Sequence, residues 1–214
     1  NLEYPYRQEM SNEEIEAVCR EAKMNNVKVA SHTSGGPSIT IAVKSGIHSV
    51  EHGHWLEDET INLMAEKNTF YVPTLLVNER NFDFEQDKNF TSSKNWKWLQ
   101  LSREAKWLSL EKAIKSNIQI ATGTDAGFML PHGSMNYREL EYLTKGGMSN
   151  MQAIKAATQF GGKLLGINVG TIEVGQKADV LVIKGNPLVD INILSNRENI
   201  VVFKDGCKFK KTYK

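Results

Sequence analysis

The chain has 214 residues, of which 26 are Lys or Arg and 25 are Asp or Glu, giving a formal net charge of +1. This balance provides no overall field that would attract nucleic acid or an anionic membrane, and no apolar run approaches the roughly 18 residues of a membrane span. The two cysteines stand in no redox or metal-ligand spacing, as is typical of proteins from a reducing compartment. We therefore expect a cytoplasmic protein whose small-molecule partner is selected by a local pocket.

Strand-like apolar runs and helix signals alternate through the first 169 residues. A capping box of Ser11 and Glu14 begins the first helix, and Pro37 and Gly46 bound the second. The alternation predicts four strands, at residues 27–31, 47–51, 69–72 and 118–122. Strands separated by helices in this way form parallel βα units with right-handed crossovers.

The segment 74–90 shows no clean period and is rich in Asn, Asp and Glu. We predict a long loop here, of the kind that often contributes to a functional site. Apolar periodicity beyond this loop predicts further helices, at residues 92–116, 136–145 and 150–160.

From about Gly170 the sequence changes to an all-β pattern. Residues 179–183 form a predicted strand, and residues 200–203 enter a hairpin through Asp205-Gly206, which is a strong turn signal. Such elements do not extend a parallel sheet easily, so we expect a small β layer beside it. The predicted units are residues 1–169, part of an α/β barrel, and residues 170–214, a β-strand segment of a flanking small domain.

Metal-capable side chains stand at three of the predicted strand ends. His32 follows the first strand, His52 the second and Asp125 the fourth. The C-terminal ends of parallel barrel strands converge on one mouth, where catalytic groups are expected. A histidine that is hydrogen-bonded within a loop and an aspartate that forms a turn are the structural alternatives. Together, two neutral imidazoles and a carboxylate are donors that Zn²⁺ or Fe²⁺ prefers in catalytic sites.

Three other histidines follow or precede these positions. His48 lies inside the second predicted strand, and we expect it to face the surface or a helix. His54 lies beyond Gly53 in a predicted loop, and it is a candidate for substrate binding or for contacts behind the metal ligands. His132 is a further candidate for substrate binding, with a plain loop histidine as the alternative.

These motifs, in this order, resemble the amidohydrolase superfamily, particularly its imidazolonepropionase-like and Xaa-Pro dipeptidase (prolidase)-like branch. The resemblance is carried by His32, Glu51-His52-Gly53, Gly123-Thr124-Asp125-Ala126-Gly127, Pro131-His132-Gly133 with Arg138-Glu139-Leu140, and the segment 170–179. It covers nearly the whole chain. The fold that it implies is the C-terminal half of a TIM-like (β/α)₈ barrel, about four βα units, followed by a small β-sandwich segment.

The resemblance also implies roles for individual residues. His32 and His52 would be the metal ligands of the fifth and sixth barrel strands, Asp125 would be the metal-bound general base of the eighth, and His132 would face substrate at the rim. The family's His-x-His pair on the first strand and its bridging lysine carboxylate or glutamate on the fourth have no counterpart here. His52-Gly53-His54 has the spacing of that pair, but its position fits the sixth strand.

The leading hypothesis is therefore the C-terminal half of a metal-dependent amidohydrolase that cleaves a C–N bond in a small cyclic amide or a dipeptide. One or two divalent ions, with zinc expected first, would activate the attacking water while Asp125 shuttles its proton. The alternative is a catalytically incomplete fragment that acts as an interaction module. Such a fragment would associate with itself or with the missing N-terminal half through exposed barrel edges and apolar faces.

Overall fold

The computed structural model describes residues 8–80, 88–92, 94–127, 130–133 and 135–209. Its α-helices are α1 (Asn12–Met24), α2 (Pro37–Ser45), α3 (Asp58–Lys67), α4 (Leu75–Arg80), α5 (Lys88–Thr91), α6 (Lys94–Lys115), α7 (Asn136–Lys145), α8 (Asn150–Ala157) and α9 (Gln159–Leu165). Its strands are β1 (Ala30–Gly35), β2 (Ser49–Trp55), β3 (Phe70–Val72), β4 (Val180–Ile183), β5 (Ile200–Lys204) and β6 (Cys207–Lys208).

A parallel sheet with the order β1-β2-β3 forms the centre of the fold, and helices connect its strands. A single parallel bridge between Tyr71 and Ile120 places the next segment of the chain beside β3. The predicted alternation of helices and parallel strands is thus confirmed for three strands. The fourth predicted strand, at residues 118–122, is reduced to this one bridge.

The hydrophobic core lies between one face of this sheet and the helices that follow each strand. Val50 of β2 and Tyr71 of β3 are fully buried there. Residues that alternate with Val50, namely Ser49 and Glu51, face the other way and line an open cavity of about 480 Å³. The helices contribute the following buried apolar side chains: Ile39, Val43, Ile61, Met64, Leu110, Leu143 and Ala153.

A second sheet, antiparallel and with the order β4-β5-β6, forms the C-terminal region. The predicted hairpin is confirmed, since Asp205 and Gly206 both adopt left-handed φ angles, of 51° and 76°, as a type I′ turn requires. Ile191, in the segment between β4 and β5, is buried in the main core. Cys207, on β6, is exposed, whereas Cys19 is buried.

Several element boundaries differ from the predicted ones. β1 runs on to Gly35 and β2 to Trp55, so His32, His52 and His54 lie within strands rather than after them. The segment Leu75–Arg80, predicted as the start of a long loop, is helix α4, while residues 81–87 of that loop lie outside the described residues. The sequence did not predict this helix because its first backbone N–H groups are satisfied by Glu139, a side chain from a distant part of the chain.

Each helix within the described ranges is too short or too polar to cross a lipid bilayer.

Candidate metal site at the ends of the parallel strands

The rings of His32 and His52 lie side by side, with their centroids 4.6 Å apart and their planes at 75°. They come from neighbouring strands, because β1 and β2 pair in a register that matches Thr33 with His52. His32 is exposed and His52 is half-buried. The structure therefore brings two predicted ligand residues together at the C-terminal half of the parallel sheet.

The orientation of His52 depends on an unusual backbone conformation. Regular strand alternation would direct His52 toward the helices, on the side of buried Val50. His52 instead has a φ angle of 66° and Gly53 one of 48°, which interrupts the alternation and brings the His52 ring next to His32. The hydroxyl of Tyr71 donates hydrogen bonds to the carbonyl oxygens of His52 and Gly53, each at 3.1 Å. These contacts help to offset the roughly 1–3 kcal/mol that such a conformation costs.

The imidazole of His52 is held at one nitrogen only. Its Nδ1 atom lies 2.6 Å from the Oγ1 atom of Thr74, which follows β3. Burial, reinforced by the positive charge of Lys106, lowers the pKa of His52 to about 4. The ring is therefore neutral at pH 7, the form of imidazole that coordinates metals.

Asp125 lies on the next segment along the sheet. Gly123 passes so close to β3 that a Cβ atom there would stand 2.7 Å from Cγ1 of Val72. Asp125 follows, exposed to solvent and with a φ angle of 51°, and its negative charge acts on His52 by raising that residue's pKa against the effect of burial. His52, Thr74 and Asp125 thus carry left-handed backbone conformations on three successive segments, and strain of this kind clusters at active sites.

The donor set fits a metal in part. Two adjacent imidazoles and a nearby carboxylate are chemically suited to Zn²⁺. Within the described ranges, however, no group of three or more His, Cys, Asp or Glu side chains is close enough together to hold an ion.

The other histidines surround this pair. His54 is buried inside β2, not in the predicted loop; its ring lies 6.1 Å from that of His52, and its Nε2 atom is 3.3 Å from Oδ1 of Asn78. Burial holds the pKa of His54 well below its usual range. His48, expected at the surface or against a helix, lines the 480 Å³ cavity and accepts the backbone N–H of Val29 at 3.0 Å.

His132 is exposed and folds back on the loop that carries Asp125. Its Nε2 atom lies 3.2 Å from the point that a Cβ atom would occupy at Gly127. Gly127 is two residues from Asp125, so the His132 ring lies against the loop that carries Asp125. This placement of His132 is compatible with a rim residue that contacts substrate.

Sequence reasoning assigned no role at the site to three buried residues, Thr74, Lys106 and Glu139. Nζ of Lys106, on α6, lies 3.4 Å from the carbonyl oxygen and 3.5 Å from Oγ1 of Thr74. The carboxylate of Glu139, on α7, accepts the backbone N–H groups of Leu75 and Leu76 at 2.9 and 2.7 Å, and so caps α4.

Both ionisable groups beside Thr74 are strongly affected by their surroundings. Burial lowers the pKa of Lys106 and raises that of Glu139, each to about 7. Two of these residues carried a sequence signal: Thr74 directly follows Pro73 at a predicted strand end, and Glu139 lies in Arg138-Glu139-Leu140, a segment that resembles the family. Lys106 lies in ordinary helical sequence.

The chain is similar in sequence and in structure to known proteins. Ochratoxinase of Aspergillus niger is 31% identical over 207 residues, which are 94% of this chain and 42% of the ochratoxinase. The crystal structure of a Xaa-Pro dipeptidase with bound methionine superposes with a TM-score of 0.82 at 35% identity, covering 96% of this chain and 50% of that one. The crystal structure of A. niger ochratoxinase superposes with a TM-score of 0.84 at 32% identity, covering 96% of this chain and 47% of that one.

The chain thus spans less than half the length of the curated ochratoxinase that it matches. The sequence profile of the amidohydrolase family matches residues 4–214, nearly the whole chain. The chain belongs to the amidohydrolase family.

Proposed function

We propose that this chain supplies the C-terminal half of a metal-dependent hydrolase that cleaves a C–N bond in a small amide. The observation that carries the proposal is the juxtaposition of the His32 and His52 rings, 4.6 Å apart, with Asp125 on the adjoining segment and close enough to influence the pKa of His52. Membership of the amidohydrolase family supports the reaction class.

The proposed substrate is a dipeptide or a small cyclic amide. The name of one similar structure, a Xaa-Pro dipeptidase, supports the dipeptide, and the similarity to ochratoxinase supports an amide-cleaving reaction more generally. His132 and His54 are the residues of this chain that we propose to contact the substrate. The exposure of His132 beside the loop of Asp125 supports this role for His132, whereas buried His54 would act from beneath.

We propose one or two divalent ions, with zinc as the first expectation, held by His32, His52 and Asp125. When bound, zinc polarises the scissile carbonyl and lowers the pKa of water. Asp125 takes the proton of the attacking water and returns it to the leaving amine. The family's His-x-His pair and bridging residue have no counterpart in these 214 residues, so further ligands are proposed to come from outside them.

The proposed architecture is half of a (β/α)₈ barrel, residues 1–169, with residues 170–214 forming part of a flanking β-sandwich. Among the described residues, no further strand pairs with the two edges of the parallel sheet, β1 and the segment at Ile120. This supports the proposed half-barrel, because closing a barrel removes such edges. The coverage of only half of the solved dipeptidase chain supports it as well.

Substitution of the proposed general base tests the reaction. In the full-length protein, Asp125→Asn should reduce turnover of Xaa-Pro dipeptides by about 10²- to 10⁴-fold, the usual contribution of a general acid–base group. Release of the free amine is the readout. Asp58→Asn is the control, since Asp58 forms a surface ion pair with Lys112 at 2.7 Å. Near-normal turnover of the Asp125 variant would contradict the proposal.

A further inference from the structure

We infer that Thr74 is a positioning residue that fixes the ring of His52 with its Nε2 atom toward the metal, and that Lys106 and Glu139 hold Thr74 in place. The inference rests on the proposed function, because it concerns how one of the proposed ligands is oriented. None of the three residues is itself a metal ligand in this proposal.

The bond between Thr74 and His52 determines which ring nitrogen is free. Nδ1 of His52 is 2.6 Å from Oγ1 of Thr74. A neutral imidazole has one N–H donor and one nitrogen with a lone pair, and a metal-binding histidine typically donates its other N–H to a fixed neighbour. With Thr74 accepting from Nδ1–H, the lone pair remains on Nε2.

Thr74 reaches His52 only because its backbone adopts a conformation that threonine normally avoids. Its φ angle is 49°, and a positive φ is a genuine outlier for a β-branched residue. The side chain is almost completely buried, at 4% exposure. Neighbouring groups must therefore stabilise this conformation, since relaxation of the backbone would move the hydroxyl away from His52.

Two buried charged side chains provide this stabilisation, one on each side of the Thr74–Leu75 peptide. The ammonium group of Lys106, 1% exposed, lies 3.4 Å from the Thr74 carbonyl oxygen and 3.5 Å from Oγ1. The carboxylate of Glu139, 0% exposed, accepts the N–H groups of the next two residues. The turn is thus held at its carbonyl and at its following amides.

Lys106 also restricts the hydrogen bonding of Thr74. In its protonated form the Lys106 side chain can only donate, whereas a hydroxyl offers two lone pairs and one hydrogen. Lys106 can therefore occupy one lone pair of Oγ1 while Nδ1–H of His52 occupies the other. This arrangement is compatible with the His52 tautomer that has its hydrogen on Nδ1.

The role of Thr74 can be tested by measuring zinc affinity, which does not require a measurement of turnover. In the full-length protein, Thr74→Val removes the hydroxyl while keeping the β-branched shape, and Thr74→Ser keeps the hydroxyl. We expect Thr74→Val to raise the dissociation constant for Zn²⁺, measured by competition with a chromophoric chelator, by about 10- to 100-fold. Thr74→Ser should stay close to the unmodified protein.

Thr60→Val is the matched control, because it also removes a buried threonine hydroxyl. Oγ1 of Thr60 is 2.6 Å from Oγ1 of Thr40, between α2 and α3 and away from the histidines. A purely structural role for Thr74 predicts that both valine variants lower the melting temperature without changing zinc affinity. Unchanged zinc affinity in a folded Thr74→Val protein would overturn the inference.

The tautomer of His52 supplies a test that needs no variant. Nitrogen NMR of the metal-free, full-length protein should show the hydrogen of His52 on Nδ1, and in Thr74→Val it should redistribute toward Nε2. A predominant Nε2–H tautomer in the unmodified protein would overturn the inference even if Thr74→Val fails to fold. Failure of the unmodified protein to bind zinc at all would instead contradict the proposed function.

Discussion

At the scale of single residues, His52 combines a recognisable sequence motif, an unusual backbone conformation and specific contacts of its ring. Its φ angle of 66° is stabilised by the Tyr71 hydroxyl, which donates to the carbonyl oxygen of His52 at 3.1 Å. The ring is directed by Thr74 at 2.6 Å. A residue placed at such conformational cost is more readily explained by ligand binding than by packing, because an ordinary strand residue would need none of these contacts.

Two histidine variants separate ligand from substrate contact at the residue scale. In the full-length protein, His52→Asn should weaken zinc binding by more than about 100-fold, beyond the loss expected for a positioning partner. His132→Asn should leave zinc affinity unchanged and raise KM by about tenfold, the effect of one lost hydrogen bond. Chelator competition and steady-state kinetics are the two measurements.

The opposite pattern would contradict these assignments. If His132→Asn released the metal, His132 would act as a ligand and not only as a substrate contact. If His52→Asn kept the metal, His52 would not be a ligand. His48→Asn is a suitable control, since Nδ1 of His48 accepts the Val29 N–H and has no proposed role in the chemistry.

At the scale of elements, helix α4 shows how one buried carboxylate can organise a segment. The first N–H groups of a helix have no partner within it, and Glu139 of α7 accepts two of them in α4. This arrangement buries an ionisable group, and burial raises the pKa of Glu139 from 4.5 to about 7. Stability must then depend on pH.

The direction of this dependence follows from proton linkage. Between pH 4.5 and 7 the unfolded chain has lost the Glu139 proton while the folded chain keeps it, so stability falls as pH rises. At about 1.4 kcal/mol per pKa unit, the change is about 3 kcal/mol. For Lys106, whose pKa burial lowers from 10.5 to about 7, stability should rise again from pH 7 to 10.5.

Urea unfolding of Glu139→Gln at several pH values tests this expectation. The variant cannot ionise at position 139, so its stability relative to the unmodified protein should increase by about 3 kcal/mol from pH 4.5 to 7. Glu141→Gln is the control on the same helix, because Glu141 forms a surface ion pair with Lys145 at 2.7 Å. A stability difference that does not vary with pH would show that Glu139 is not the titrating group.

At the scale of the whole molecule, apolar side chains are exposed around the C-terminal sheet. Ile172 is 90% exposed and Val189 80%, and Val174 is also fully exposed. Exposed apolar clusters commonly mark association surfaces. The open edges of the parallel sheet, as formed by the described residues, are potential association surfaces of the same kind.

We therefore expect the 214-residue chain by itself to self-associate. Size-exclusion chromatography with light scattering should give a mass above the 24.1 kDa of one chain. Ile172→Asp combined with Val174→Asp should reduce the association, whereas Lys155→Asp, on the exposed side of α8, should not. A monomer at all concentrations would contradict this expectation.

The sequence alone predicted the α/β architecture, the alternation of its elements, the hairpin at Asp205-Gly206 and the family. It also singled out His32, His52 and Asp125. These features depend on local signals, such as capping residues, turn residues and apolar periodicity, or on short motifs that resemble a known family. Such signals act between residues only a few positions apart, so they can be recognised without knowing the fold.

Only the tertiary structure decided how these residues are held. The partners that orient His52 and stabilise Thr74 come from far along the chain, since Thr74 is 22 positions from His52, Lys106 is 32 from Thr74, and Glu139 is 64 from Leu75. Burial is what makes Lys106 and Glu139 important, and burial is set by packing between elements. No local pattern distinguishes a buried lysine in a helix from a solvated one, because the difference lies in the neighbours that folding brings to it.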